Sequence, residues 1–148
     1  MDASKAPRRG IRVPIAIGEL IDKISILEIK SERITDPAKL RNVKTELAVL
    51  DEIKSAAGLA TPDMTPFAEQ LKAVNAELWD IEDAIRELEA RGDFGARFIA
   101  LARSVYLTND RRARIKQQIN QAFGSDIVEE KSYTDYRRPP RSDEPLPG

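Results

Sequence analysis

Apolar residues in this chain fall into four runs with helical spacing, separated by short polar punctuation. In the first run Leu20, Ile24, Leu27 and Ile34 step at three and four, with Ile17 ahead of them and Ser31 filling one position. That spacing predicts a helix over about 18–34 with a single apolar stripe facing the core. Gly18 is the expected N-cap, and Glu19 follows where the helix dipole favours a negative charge. Thr35-Asp36-Pro37 then breaks the pattern, Asp36 as a cap and Pro37 at the first position of a second helix. The second helix carries Leu40, Val43, Leu47 and Leu50 and fades near Ala57. A loop follows, punctuated by Pro62 and Pro66. The third run is the cleanest: Phe67, Leu71, Val74, Leu78, Ile81, Ile85 and Leu88 alternate steps of four and three without a miss. Gly92 suits a left-handed C′ position and Asp93 the next N-cap. The fourth helix runs from about Arg97 to Gln121 and ends at Gly124.

Four amphipathic helices with short connections predict an all-α fold, an antiparallel up-down four-helix bundle. The alternative is a pair of long hairpins that bury their seams only on dimerising. Short extended segments are expected near both ends. Ile11, Val13, Ile15 and Ile17 alternate with other residues, and Pro14 confines them to an edge or a strap over the core. Ile127 and Val128 form the second such piece. Residues 1–10 read as a disordered arm, 11–133 as the bundle domain, and 134–148 as a disordered tail rich in Pro and charge.

The fourth helix breaks its own pattern. Phe98, Leu101 and Val105 open its seam and Ile115 and Ile119 close it, but the seam positions between are Thr108 and Arg112, with Asn109 alongside. A buried guanidinium needs an answering charge. Counting about 1.5 Å per residue down an antiparallel bundle brings Arg112 level with Gly18 and Glu19. By the same count Asn75, Glu77 and Trp79 of helix three lie nearby, as do Asp51 and Lys54 of helix two, while Thr108 and Asn109 sit a turn above, near Lys23. This layer is either an ion-pair network that fixes helix register or a pocket for a small polar or anionic ligand. The first reading weighs more, because such networks form without any ligand.

Charge and composition narrow the choice. The 148 residues suffice for one domain, and 33% of them are charged, yet the net charge is only −1. Mixed signs fit solvated helix faces and argue against nucleic acid as the partner. The chain contains neither Cys nor His, which removes disulfides, thiol nucleophiles, imidazole chemistry and the usual zinc sites. Two acidic pairs, Glu19-x-x-Asp22 and Glu77-x-x-Asp80, are similar to those by which all-helical nucleotide pyrophosphatases hold magnesium. The seams place Asp22 and Asp80 outward and Glu19 and Glu77 on the flank, so neither metal nor cofactor is expected. Met1–Gly10 has no signal-peptide pattern and no apolar run approaches membrane-span length, which predicts a cytoplasmic protein with no membrane span.

Four blocks together resemble a bacterial family known as a domain of unknown function: VPIAIGELIDKISILEIK (Val13–Lys30), VNAELWDIED (Val74–Asp83), LARSVYLTND (Leu101–Asp110) and EEKSY (Glu129–Tyr133). The resemblance implies a small bacterial cytosolic protein, encoded near genes for surface-polysaccharide assembly, and transfers no catalytic residue. Two functional expectations follow. The first is a helical interaction module that homo-oligomerises or docks a partner protein, with Trp79 at the interface because it flanks an already full seam. The second is a bundle that binds or transforms a small anionic ligand through Glu19, Lys23, Asn75, Glu77, Asn109 and Arg112. An exposed apolar stripe favours the first, and a water-accessible cavity reaching Arg112 favours the second.

Overall fold

The computed structural model describes residues 9–137, so most of the expected arm (1–10) and tail (134–148) lies outside the described residues. Four helices make up the structure: α1 (Ile17–Arg33), α2 (Pro37–Ala56), α3 (Thr65–Ala90) and α4 (Ala96–Ala122). The fold is an all-α four-helix bundle. Polar contacts fix the directions. Asp22 and Arg33 of α1 meet Asn75 and Asp80 of α3 in the same order, so these helices run parallel. Gly18 and Asp22 meet Asn120 and Arg112 of α4 in reverse order, so α4 is antiparallel to both.

Helix α1 is central. It packs against each of the other three helices, α3 and α4 pack on each other, and α2 lies closely against α1 alone. Its single predicted stripe is therefore incomplete. Leu20, Ile24 and Leu27 are buried as expected, but so are Ile21, Asp22, Ser25 and Ile29 on other faces. A helix with neighbours on three sides keeps only a narrow wet stripe, here Glu19, Lys23, Ile26, Lys30 and Arg33. Leu20, Ile21 and Ile24 meet Leu71, Ile119 and the connection residues Leu59 and Met64 in the main core, edged by Phe67 and Phe123. The loop after α2 thus contributes two core anchors, each worth roughly 1.5–3 kcal/mol of burial.

The connections follow local chemistry. Asp36 caps α2 by accepting from the Lys39 backbone N–H at 2.9 Å, ahead of Pro37. Between α3 and α4, Gly92 takes φ +64°, and Asp93 N and Gly92 N return to the carbonyls of Leu88 and Glu89. This is the Schellman closure. Asp93 does not cap α4; its carboxylate instead accepts from Gly95 N.

Gly18 does something other than cap. Helix α1 begins one residue earlier, and a Cβ at Gly18 would stand 2.5 Å from the Lys116 carbonyl oxygen of α4. Glycine is there because two helices touch backbone to backbone. The open N–H groups of this first turn are met from outside the helix. Asn120 Oδ1 accepts from Gly18 N at 2.7 Å and Ser125 Oγ from Ile17 N at 3.1 Å.

Neither expected extended segment forms a strand; among the described residues there is none. Ile11 and Val13 are 91% and 66% exposed, so the first segment does not strap the core. The segment after Gly124 turns back along α4 instead. Glu129 reaches Lys116, and the Tyr136 hydroxyl donates to Asp110. The described part of the expected tail, 134–137, therefore touches the bundle. No helix among the described residues is long and apolar enough to cross a membrane.

Candidate functional site

Arg112, Lys116 and Asn120 step by four along α4 and form one polar ridge against α1. At its centre Asp22 is fully buried and takes both arms of the Arg112 guanidinium: Nε donates to Oδ1 at 2.9 Å and Nη2 to Oδ2. Asn75 completes the set, its Nδ2 donating to Asp22 Oδ1 at 2.9 Å and to Ser25 Oγ at 2.8 Å. Ser25 passes its own hydrogen to the Asp22 carbonyl at 2.7 Å. One turn down the ridge, the nearly buried Lys116 donates to Glu19 at 2.6 Å and Glu129 at 3.2 Å. Lys131 adds a second bond to Glu129 at 2.6 Å. Three carboxylates thus stand against three cations.

The electrostatics follow from these partners. Hydrogen bonding to Asp22 raises the Arg112 pKa above its ordinary value, against burial acting the other way. Bonds from Lys131 and then Lys116 hold the Glu129 carboxyl below the usual carboxylate range, and the same bond raises Lys131. The Asp110 carboxylate, as acceptor, pushes the Tyr136 phenol upward. In the low dielectric of the interior such a matched layer fixes one helix register, because a slip of one turn strands a charge.

Two clefts open onto this layer, and Asn109 and Arg112 line both. The larger, about 610 Å³, lies between α4 and the returning segment, with Tyr106, Tyr133 and Tyr136 among its walls. Its lining includes four cations, Arg112, Arg114, Lys116 and Lys131, against two carboxylates, Asp110 and Glu129. Among the described residues Asn109, Arg114 and Gln117 make no side-chain hydrogen bond or ion pair, and Arg112 Nη1 makes none either. The second cleft, about 480 Å³, lies where α1 meets α3 and α4, lined by Ile26, Ile29, Leu78 and Trp79 among others.

Of the residues expected in the layer, Arg112, Asn75 and Glu19 are there, and Asn109 lies at its rim. Lys23 is half exposed, 3.9 Å from Glu19, on the outer side of α1. Glu77 is exposed and pairs with Arg111 at 3.0 Å, outside the layer. Trp79 is half-buried in the second cleft, with the Arg33 guanidinium 5.6 Å above its ring. No ion pair or hydrogen bond joins Asp51 or Lys54 to the layer among the described residues, because α2 lies against α1 alone. The expected level was one turn off: Arg112 meets Asp22, while Gly18 and Glu19 face Asn120 and Lys116.

Asp22 corrects the largest error. Its position off the first stripe placed it outward, yet among the described residues it is the most buried charge. The missed signal was in α1 itself, where Ile21 and Ile29 also lie off the stripe and show that other faces are covered. The acidic pairs are split accordingly. Asp22 faces Arg112, Glu19 faces Lys116, Asp80 pairs with Arg33 and Glu77 with Arg111. Among the described residues no group of three or more such ligands stands where it could hold a metal ion.

Residues 11–144 match the family described as "Family of unknown function (DUF6165)". The chain belongs to that family. The matched range extends past the described residues. No curated protein matches the chain, and no solved structure does.

Proposed function

We propose that the cleft between α4 and the returning segment binds a small anionic ligand that carries a ring, such as a sugar acid or sugar phosphate. The observation that carries this is a tyrosine-walled cleft of about 610 Å³, a volume within the range of small-molecule sites, onto which Arg114 and Arg112 Nη1 open without an ion pair among the described residues. Arg112 Nη1 and Arg114 offer charged donors, which bind carboxylate and phosphate oxygens more strongly than neutral ones do. Asn109 and Gln117 offer amides for hydroxyl groups, and Tyr106, Tyr133 and Tyr136 offer ring faces. The Asp22–Arg112 pair is the support: it holds the guanidinium still and leaves its outer nitrogen for the ligand.

The resemblance to proteins encoded beside surface-polysaccharide genes supports a sugar-bearing ligand and a bacterial, cytosolic setting. It supports equally a role as an interaction module in that assembly.

Thermal unfolding tests the ligand reading. Inorganic phosphate, citrate and glucose 1-phosphate are each added to the full chain. A ligand at a hundred times its Kd stabilises by about 2.7 kcal/mol. Glucose 1-phosphate is expected to raise Tm more than phosphate, and Arg114→Ala, at a residue with no ion pair among the described residues, to lose much of that gain while keeping its ligand-free Tm. If none of the three anions raises the wild-type Tm, the reading fails.

A further inference from the structure

Helix α1 ends at Arg33, whose guanidinium bonds Asp80. Toward their connection α3 and α4 form a two-helix arm from Ile81 to Leu107, at whose base Glu82, Asp83 and Arg86 still share the second cleft with Ile26 and Ile29 of α1. At about 1.5 Å per residue the α3 side of the arm is some 15 Å long. Inside it Ile81 and Leu88 are buried, but Ile85, Phe98, Leu101 and Val105 are only half covered.

The uncovered surface continues a row that the body covers. Ile99, Ala102, Tyr106 and Asn109 step at three and four along α4, and Asn109 lines the second cleft together with Ile26 and Ile29 of α1. On α3, Leu78, Glu82, Ile85 and Glu89 step at four, three and four, and Leu78 and Glu82 line the same cleft. Beyond the second cleft the rows run on to the exposed Glu89 and Ile99, while Tyr106 packs edge-on against Tyr136 at 4.9 Å. Ile99 is 57% and Phe94 54% exposed, and Phe94 rests edge-on against Phe98 at 5.2 Å. Charge says what fits there. From Ile81 to Ala90 the α3 side holds four carboxylates, Glu82, Asp83, Glu87 and Glu89, and one cation, Arg86. From Ala96 to Leu107 the α4 side holds Arg97 and Arg103 and no carboxylate.

From this we infer that two copies of the chain pair through their arms, α3 of each lying against α4 of the other to complete a four-helix bundle. A second copy is the occupant that meets the acidic helix with a basic one and the basic helix with an acidic one at once, in a self-complementary two-fold contact. Its arm supplies the missing cover for Ile85, Phe98 and Ile99, and Trp79 stands at the foot of the same surface.

Sedimentation of the full chain, up to millimolar concentration, tests the inference without any ligand. The wild type is expected to form a dimer. Ile99→Glu, at a position exposed in the single copy, is expected to raise Kd by about tenfold or more with Tm unchanged for the monomer. Arg103→Glu and the pair Glu82→Lys, Glu89→Lys should each weaken self-association, and mixing the two variants should restore a heterodimer. A wild type that stays monomeric, or an Ile99→Glu chain that dimerises as tightly as wild type, overturns the arm as the interface. A mixture that fails to associate overturns the pairing of α3 with α4.

Discussion

Substituting Arg112→Met removes both guanidinium bonds to Asp22 and leaves a fully buried carboxylate with Asn75 as its remaining hydrogen-bond donor from a side chain. Breaking a buried pair from one side costs about 3–5 kcal/mol. The low end applies, because Lys116 Nζ already lies 3.9 Å from Asp22 Oδ2 and takes part of the charge. A loss of about 3 kcal/mol lowers Tm by roughly 10 °C in a chain of this length. Asp22→Leu is the milder change. Its orphan, Arg112, has a side chain 28% exposed that turns toward water, and Asn75 keeps Ser25. About 1–2 kcal/mol is expected there. The double variant Asp22→Leu, Arg112→Met carries no charge and restores most of the loss, since apolar replacement of a buried pair is close to neutral. Urea unfolding of all four proteins closes the cycle, with a coupling of about 3 kcal/mol at unchanged m. If Arg112→Met costs under about 1 kcal/mol, or the two single losses simply add, the layer does not hold α1 against α4.

Two other perturbations test separate contacts. Gly18→Ala places a Cβ 2.5 Å from the Lys116 carbonyl, and the resulting separation of α1 from α4 outweighs alanine's better helix propensity; a net loss of about 1–2 kcal/mol in urea unfolding is expected, and an alanine variant as stable as wild type would refute the close approach. Glu129 has a folded pKa below its ordinary 4.5, so its contribution is present above pH 4.5 and is lost as pH falls through the lowered value. Nuclear magnetic resonance shifts of the segment after Gly124 should change in a step over that acidic window in wild type and show no such step in Glu129→Gln.

The sequence exposed some of this design and hid the rest for identifiable reasons. The seams of α3 and α4 are legible because each helix faces its main neighbour along one line, and Gly92 and Asp36 are legible because their turns obey local rules. The break at Thr108 and Arg112 lies on the face of α4 where Arg112 meets Asp22. Its partner stayed hidden because periodicity tells which face of a helix is apolar but not how many neighbours the helix has. Asp22 reads as solvated on a helix with one neighbour and as buried on a helix with three. Gly18 was ambiguous for a similar reason: a cap and a backbone contact both ask for a small residue, and only the position of α4 separates them. The returning segment, with Glu129, Lys131 and its tyrosines, has no periodic signature. Its course is set by single contacts with Lys116 and Asp110.

The closure of α1 by groups from the far end of the chain bears on the order of events during synthesis. Asn120 and Ser125, which finish the first turn of α1, leave the ribosome about a hundred residues after Gly18, and Arg112 emerges 90 residues after Asp22. When α1 and α2 are first exposed, the middle helix carries apolar residues on every side and a carboxylate with no partner. An α1–α2 hairpin formed at that stage leaves in water the faces of α1 that meet α3 and α4, Asp22 among them, and so buries only part of the core. The local hairpin of α3 and α4 has no such dependence and can assemble from its own seam. Translation therefore delivers the centre of this fold first and the groups that complete it last, so a growing chain stays uncommitted until α4 is out.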